Sequence, residues 1–151
     1  MKYLGLDLGT RTLGVSMSDS TKTIANTYTT ICFEDGNYHE AIKKLSLILE
    51  MEPIEKIILG LPKNMNNSLG DRAKTTLEFK NLLLKTFSIP VIMQDERLTT
   101  KEATYYMVKA DVSRKKRKKK IDSLAANIIL QTYLDKERTE KNEWKNWRFK
   151  I

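Results

Sequence analysis

This chain of 151 residues has almost nothing with which to build a soft-metal site or a disulfide: one cysteine, Cys32, and one histidine, His39. A single thiol excludes an intramolecular disulfide, and one Cys with one His supplies no zinc-type ligand set. Cys32 sits among β-branched residues and reads as a small strand hydrophobe. His39, in "NYHEA", reads as a surface or capping residue rather than a general base. No apolar run approaches the roughly 20 residues that a bilayer span needs. The N-terminal "MKYLGLDLG" is too short and too acidic for a secretory signal. A cytoplasmic protein with no membrane partner is expected.

Acidic residues are also in deficit. Nineteen Asp and Glu stand against 27 Lys and Arg, a net charge of +8 with a pI near 9.5. Such a surplus on one small domain draws polyanions, of which nucleic acid is the commonest. A generally lysine-rich proteome would give the same totals, so composition alone leaves the ligand open.

What is present is a change of period along the chain. Residues 2–8 and 13–18 are short β-type runs joined by "GTRTLG", a hairpin signal, and 23–31 ("TIANTYTTI") is a third. "YHEAIKKLSLILEM" then puts Ala41, Ile42, Leu45, Ile48 and Leu49 on one helical face, and Pro53 ends it. A buried strand over 56–62 follows, then a helix from about Gly70 to Phe87 with Ala73, Leu77, Leu83, Leu84 and Phe87 on its stripe. "IPVIMQ" is another strand. "LTTKEATYYMVKA" reads as a helix opened by a Thr99–Glu102 capping box. The last helix runs from about Asp122 to Lys136, through Leu124, Ala125, Ile128, Ile129 and Leu130. Three strands in a meander followed by alternating strands and helices predict one mixed sheet covered by helices. One α/β domain over 1–138 is expected, with a tail over 139–151 whose Trp144 and Trp147 pack back on it.

Acids fall at the ends of these elements. Asp7 lies in the first strand, where a charge is disfavoured and costs several kcal/mol to desolvate unpaired. Asp95 and Glu96 follow the last strand, and Asp122 opens the last helix. Alone, Asp122 reads as an N-cap and "DER" as a turn salt-bridged by Arg97. Together, carboxylates from distant points of the chain are what a hard divalent cation needs. Seven consecutive basic residues, Arg114, Lys115, Lys116, Arg117, Lys118, Lys119 and Lys120, run almost directly into Asp122. Such a block is commonly a solvated face, but beside an acidic site it suits a phosphate backbone.

The segments "GLDLGTRTLGVSMSD", "ILGLPKNMN", "DERLTTKEA" and "IDSLAANIIL", in that order and spacing, resemble the YqgF/RuvX family over nearly the whole domain. That family is similar to Holliday-junction resolvases of the RNase H-like superfamily and is associated with maturing the 5′ end of pre-16S rRNA. The resemblance implies an RNase H-like fold, a five-stranded mixed sheet in the order 3-2-1-4-5. It implies a nuclease with Asp7, Glu96 and Asp122 as catalytic and metal-binding carboxylates, Asp95 as a further candidate ligand, and Mg²⁺ or Mn²⁺, as two ions, as cofactor. An rRNA precursor, or branched DNA, is the implied partner, bound by a monomer or homodimer. Thr10, Arg11, Lys63, Asn64, Arg72 and Arg97 join the basic run as candidate nucleic-acid contacts. The chain departs from the family in "GLPKNMNN", where Lys63, Asn66 and Asn67 replace a leucine, an acid and a glycine.

Two other readings stay open. "DLGT" also resembles the first phosphate loop of sugar-kinase and actin-like ATPases, although those clamp nucleotide between two domains and this chain has room for one. A catalytically inactive RNA-binding assembly module would carry the same basic run.

Overall fold

A computed structural model of the protein describes residues 1–61, 71–95 and 124–140. Its elements are β1 (Lys2–Leu8), β2 (Thr12–Ser18), β3 (Ala25–Cys32), α1 (Tyr38–Met51), β4 (Ile54–Leu61), α2 (Asp71–Thr86) and β5 (Val91–Asp95). A further helix covers residues 124–140. The strands form one sheet in the order β3-β2-β1-β4-β5. β1, β2 and β3 are antiparallel neighbours, whereas β4 and β5 run parallel to β1.

Alternation along the strands gives the sheet two different faces. Leu4, Leu6 and Leu8 of β1, Leu13, Val15 and Met17 of β2, and Ile57 and Leu59 of β4 lie in the main core. Ala41, Ile42 and Leu45 of α1 and Phe79 and Leu83 of α2 cover them. Tyr3, Ala25 and Ile58 face the other way and pack with Ile129, Leu130 and Leu134 of the 124–140 helix.

α1 has the span its periodicity predicts. Its N-cap is Asn37, whose side chain accepts from the Glu40 amide at 3.3 Å, and His39 is an exposed residue of the first turn. The stripe expected for α2 needs correction. Leu84 is 46% exposed, and Phe79, 1% exposed, takes its place inside, because the buried face follows 73, 76, 79 and 83. Cys32 is exposed at the end of β3 rather than packed. The 124–140 helix extends beyond Lys136, and Asp122, its expected start, lies outside the described residues. The expected 98–110 helix and the Trp-containing tail also lie outside them.

The 124–140 helix crosses β1 at Gly5. The Ser16 hydroxyl donates to the Ala126 carbonyl at 2.8 Å, and a Cβ on Gly5 would stand 2.3 Å from Ser16 Oγ and 2.7 Å from Leu130 Cβ. Toward its far end the same helix meets the start of β1. The Tyr3 and Tyr133 hydroxyls each donate to the Glu137 carboxylate at 3.0 Å, and Lys56 Nζ lies 3.6 Å from it. Helix and strand are therefore antiparallel. Gln131 ties the flank, accepting from the Ala25 amide at 2.8 Å and donating to the Thr23 carbonyl at 3.0 Å. Burying Ile129, Leu130 and Leu134 contributes about 1.5–3 kcal/mol each, against about 0–1 for an exposed ion pair, so packing dominates this attachment.

Gly5→Ala is expected to cost about 2–3 kcal/mol in denaturant unfolding, since its neighbours are backbone and packed side chains. Gly36→Ala, where φ is +76° but a Cβ would meet nothing within 4 Å, is expected to cost only about 1–2 kcal/mol. The clamp on Glu137 generates a second expectation. Burial first, and then the Glu137 hydrogen bond, push the Tyr133 phenol up to about 12 and the Tyr3 phenol above the usual range. The folded state then holds protons that the unfolded chain releases near pH 10. This contribution is intact below pH 10 and lost as pH rises toward 12. Wild type is expected to lose more stability across that window than Tyr133→Phe does, by denaturation at pH 9 and pH 11.

Candidate active site at the C-terminal edge of the sheet

Because β1, β4 and β5 are parallel, their C-terminal ends share one edge, the usual ligand edge of an open α/β sheet. Asp7 is half-buried there. By alternation with Tyr3 and Gly5 it lies on the face covered by the 124–140 helix. Its partner on β2 is Gly14. On β4, one position past the Leu6–Leu59 pair, Gly60 comes level with it, and Gly60 pairs with Gln94 of β5. A row Gly14–Asp7–Gly60–Gln94 thus crosses four strands. A glycine on either side leaves the carboxylate flanked by bare backbone. With strands about 4.8 Å apart, Asp7 and Gln94 are separated by about 10 Å of side-chain-free floor.

The turn after Asp7 is tight. The Gly9 amide donates to the Thr12 carbonyl at 2.7 Å, and a Cβ on Gly9 would stand 3.0 Å from Thr12 Oγ1. Loop 33–37 braces it: the Phe33 amide donates to the Arg11 carbonyl at 2.9 Å, and the Gly36 amide to that of Thr10 at 3.3 Å. Thr10 and Arg11 are exposed. Arg11 faces Asp35 at 3.9 Å, a solvent-screened pair that leaves the guanidinium available.

Arg72 reaches the same edge from α2, on the opposite side of the sheet. Its Nη2 donates to the Leu8 carbonyl at 3.4 Å, one residue from Asp7. It also lies near Tyr38, whose phenol is raised by burial first, then by Asp35 and Glu78, with Arg72 opposing them. One edge thus gathers a carboxylate from one face and a guanidinium from the other.

Of the candidates named from sequence, Asp7, Thr10, Arg11 and Arg72 come together at this edge. Asp95 is the last residue of β5, paired with Leu61, rather than a residue following the strand. Glu96, Asp122, Lys63, Asn64, Arg97 and Arg114 through Lys120 lie outside the described residues. Among the described residues no three His, Cys, Asp or Glu side chains form a metal-type cluster. Sequence reasoning missed Gly14, Gly60 and Gln94. Their signal is parity: each takes Asp7's face once the strands are in register.

Structural comparison defines the class. The chain resembles T. thermophilus RuvC, solved in complex with a Holliday junction substrate, with a TM-score of 0.55 and 15% identity over 91% of this chain and 96% of that one. The fowlpox virus resolvase gives 0.55 and 12% identity over 90% and 98%. With the sheet order, this is the RuvC-like RNase H fold. Sequence comparison is more specific. The family model described as "RuvX: Holliday junction resolvase" matches residues 1–136. A "Putative pre-16S rRNA nuclease" of Geobacillus thermodenitrificans (strain NG80-2) is 46% identical over 138 residues, 91% of this chain and all of that protein. The protein of the same name from Bacillus subtilis (strain 168) is 46% identical over 135 residues, 89% and 98% of the two chains. The chain belongs to the RuvX family, which supersedes the ATPase reading of the four residues "DLGT". Among the described residues no helix is long and apolar enough to cross a membrane.

Proposed function

We propose that the chain is a divalent-metal-dependent endonuclease that hydrolyses phosphodiester bonds of precursor 16S rRNA at its 5′ end. The observation that carries this reading is Asp7, a strand carboxylate flanked by two glycines at the shared C-terminal edge. The relatives named as pre-16S rRNA nucleases support it. A carboxylate oxygen donor between two glycines fits Mg²⁺ or Mn²⁺, which bind oxygen ligands and retain several waters for substrate phosphates.

Glu96 and Asp122 are the proposed partners of Asp7. Alternation along β5 puts Ile92 and Gln94 on Asp7's face, and Asp95 and Glu96 follow directly in the sequence. Asp122 precedes Ala126 by four residues, and the helix carrying Ala126 runs antiparallel to β1 from the end where Asp7 lies. Asp7, Glu96 and Asp122 would hold the metal ions, which would supply charge stabilisation and lower the pKa of an attacking water. Arg72 and the segment Arg114–Lys120, with Thr10, Arg11, Lys63, Asn64 and Arg97, hold the phosphate backbone. Water adds to phosphorus in line, the P–O3′ bond breaks, and the 3′ oxygen takes a proton. The products are a 5′-phosphate and a 3′-hydroxyl, with no covalent enzyme intermediate. The family description favours branched DNA as a second substrate class.

Labelled precursor rRNA is expected to be cut with Mg²⁺ or Mn²⁺ and not with EDTA. Asp7→Asn is expected to lower the rate by about 10³-fold or more while RNA binding persists, because it removes a charge and leaves the shape. Cleavage that survives both EDTA and Asp7→Asn contradicts the assignment. Replacing Lys115, Lys116, Lys118 and Lys119 by Ala is expected to weaken binding alike across RNA sequences. The slope of log affinity against log salt should shrink by about 3, as four phosphate contacts on a single strand require. An unchanged slope would reduce the run to a solvated block.

A further inference from the structure

We propose that Gln94 reads the sugar of the bound strand: its side-chain amide hydrogen-bonds the ribose 2′-hydroxyl of a nucleotide beside the bond that is cut, so that the site favours RNA over DNA. The inference rests on the nuclease reading of the same edge. β5 is apolar up to this point, Val91 and Met93 packing on the main core and Ile92 on the second. Gln94 is the first polar residue of the strand. It stands where the core ends, on Asp7's face, with Gly60 of β4 between the two strands. It is partly exposed, and among the described residues nothing hydrogen-bonds its amide.

The chemistry of that amide narrows what it contacts. A phosphate oxygen only accepts, and the same edge already offers the Arg72 guanidinium for that purpose. A carboxamide donates and accepts at once and carries no charge. The ribose 2′-hydroxyl also donates and accepts, and it is the group by which a protein tells RNA from DNA. With a phosphate held at Asp7, Gln94 stands two strands away on the same face, about 10 Å across the sheet, so a neighbouring sugar comes within reach of the side chain. A base edge offers similar groups, but contact with it would vary with sequence.

The test compares matched RNA and DNA strands of one sequence by fluorescence anisotropy at fixed salt, for wild type and Gln94→Leu. Loss of one net hydrogen bond is expected to weaken RNA binding about 5–10-fold and to leave DNA binding within twofold. In RNA carrying single 2′-deoxy substitutions across the cleavage site, one position should reproduce the loss for wild type and add nothing for Gln94→Leu. Equal weakening on RNA and DNA, unchanged RNA affinity, or a loss that follows base identity overturns the proposal. Should Gln94→Leu fail to fold by circular dichroism, Gln94→Glu, an isostere that accepts but no longer donates when ionised, carries the same comparison. Binding needs no turnover, so a wild type that binds without cutting fails the nuclease reading while still testing this one.

Discussion

The placement of everything at the proposed site depends on one close contact, the crossing of the 124–140 helix over β1 at Gly5. A Cβ there would overlap Ser16 Oγ and Leu130 Cβ, so the helix can lie this near the strand only over a glycine. The hydrogen bond from Ser16 to the Ala126 carbonyl fixes its position along the strand, and the Glu137 clamp fixes its direction. The consequence is geometric. The face that carries Tyr3 and Gly5 is the helix-covered face, and the next position on it is Asp7.

From that contact the site follows by alternation. Three parallel strands end at one edge, and glycines on both neighbours of Asp7 remove the side chains that would otherwise fill the floor. A carboxylate set into an apolar strand destabilises it unless something compensates for the lost hydration, and such local cost is common where a residue is kept for chemistry. Arg72 approaches from the opposite layer, and the hairpin turn is braced by loop 33–37 through backbone bonds rather than through its exposed ion pair. Rigid backbone, not surface charge, positions this edge.

Much of the fold was legible because its elements have unambiguous periods. α1 was read with its full span, and the three-strand meander followed by parallel strands appeared in the predicted order. Errors arose where two periods competed. In α2, Leu77 and Leu84 drew attention as large apolar residues, but the buried stripe passes through Thr76 and Phe79. Cys32 looked like core from its neighbours, yet β3 is an edge strand of the sheet and Cys32 is exposed at its end. Asp7 was conspicuous because a charge in an apolar strand is rare. Gly14, Gly60 and Gln94 were not, because each is ordinary in its own strand and gains meaning only from the register across strands. The assignments to Glu96 and Asp122 rest on motif resemblance and chain order.

The central claim, that Asp7 anchors a divalent-metal site at the C-terminal edge of the sheet, is tested most directly by a crystal structure with Mn²⁺, located by its anomalous scattering. The account predicts an ion at about 2.1 Å from an Asp7 carboxylate oxygen, and its loss in Asp7→Asn. Mn²⁺ bound only elsewhere on the chain, or retained unchanged in Asp7→Asn, would contradict it.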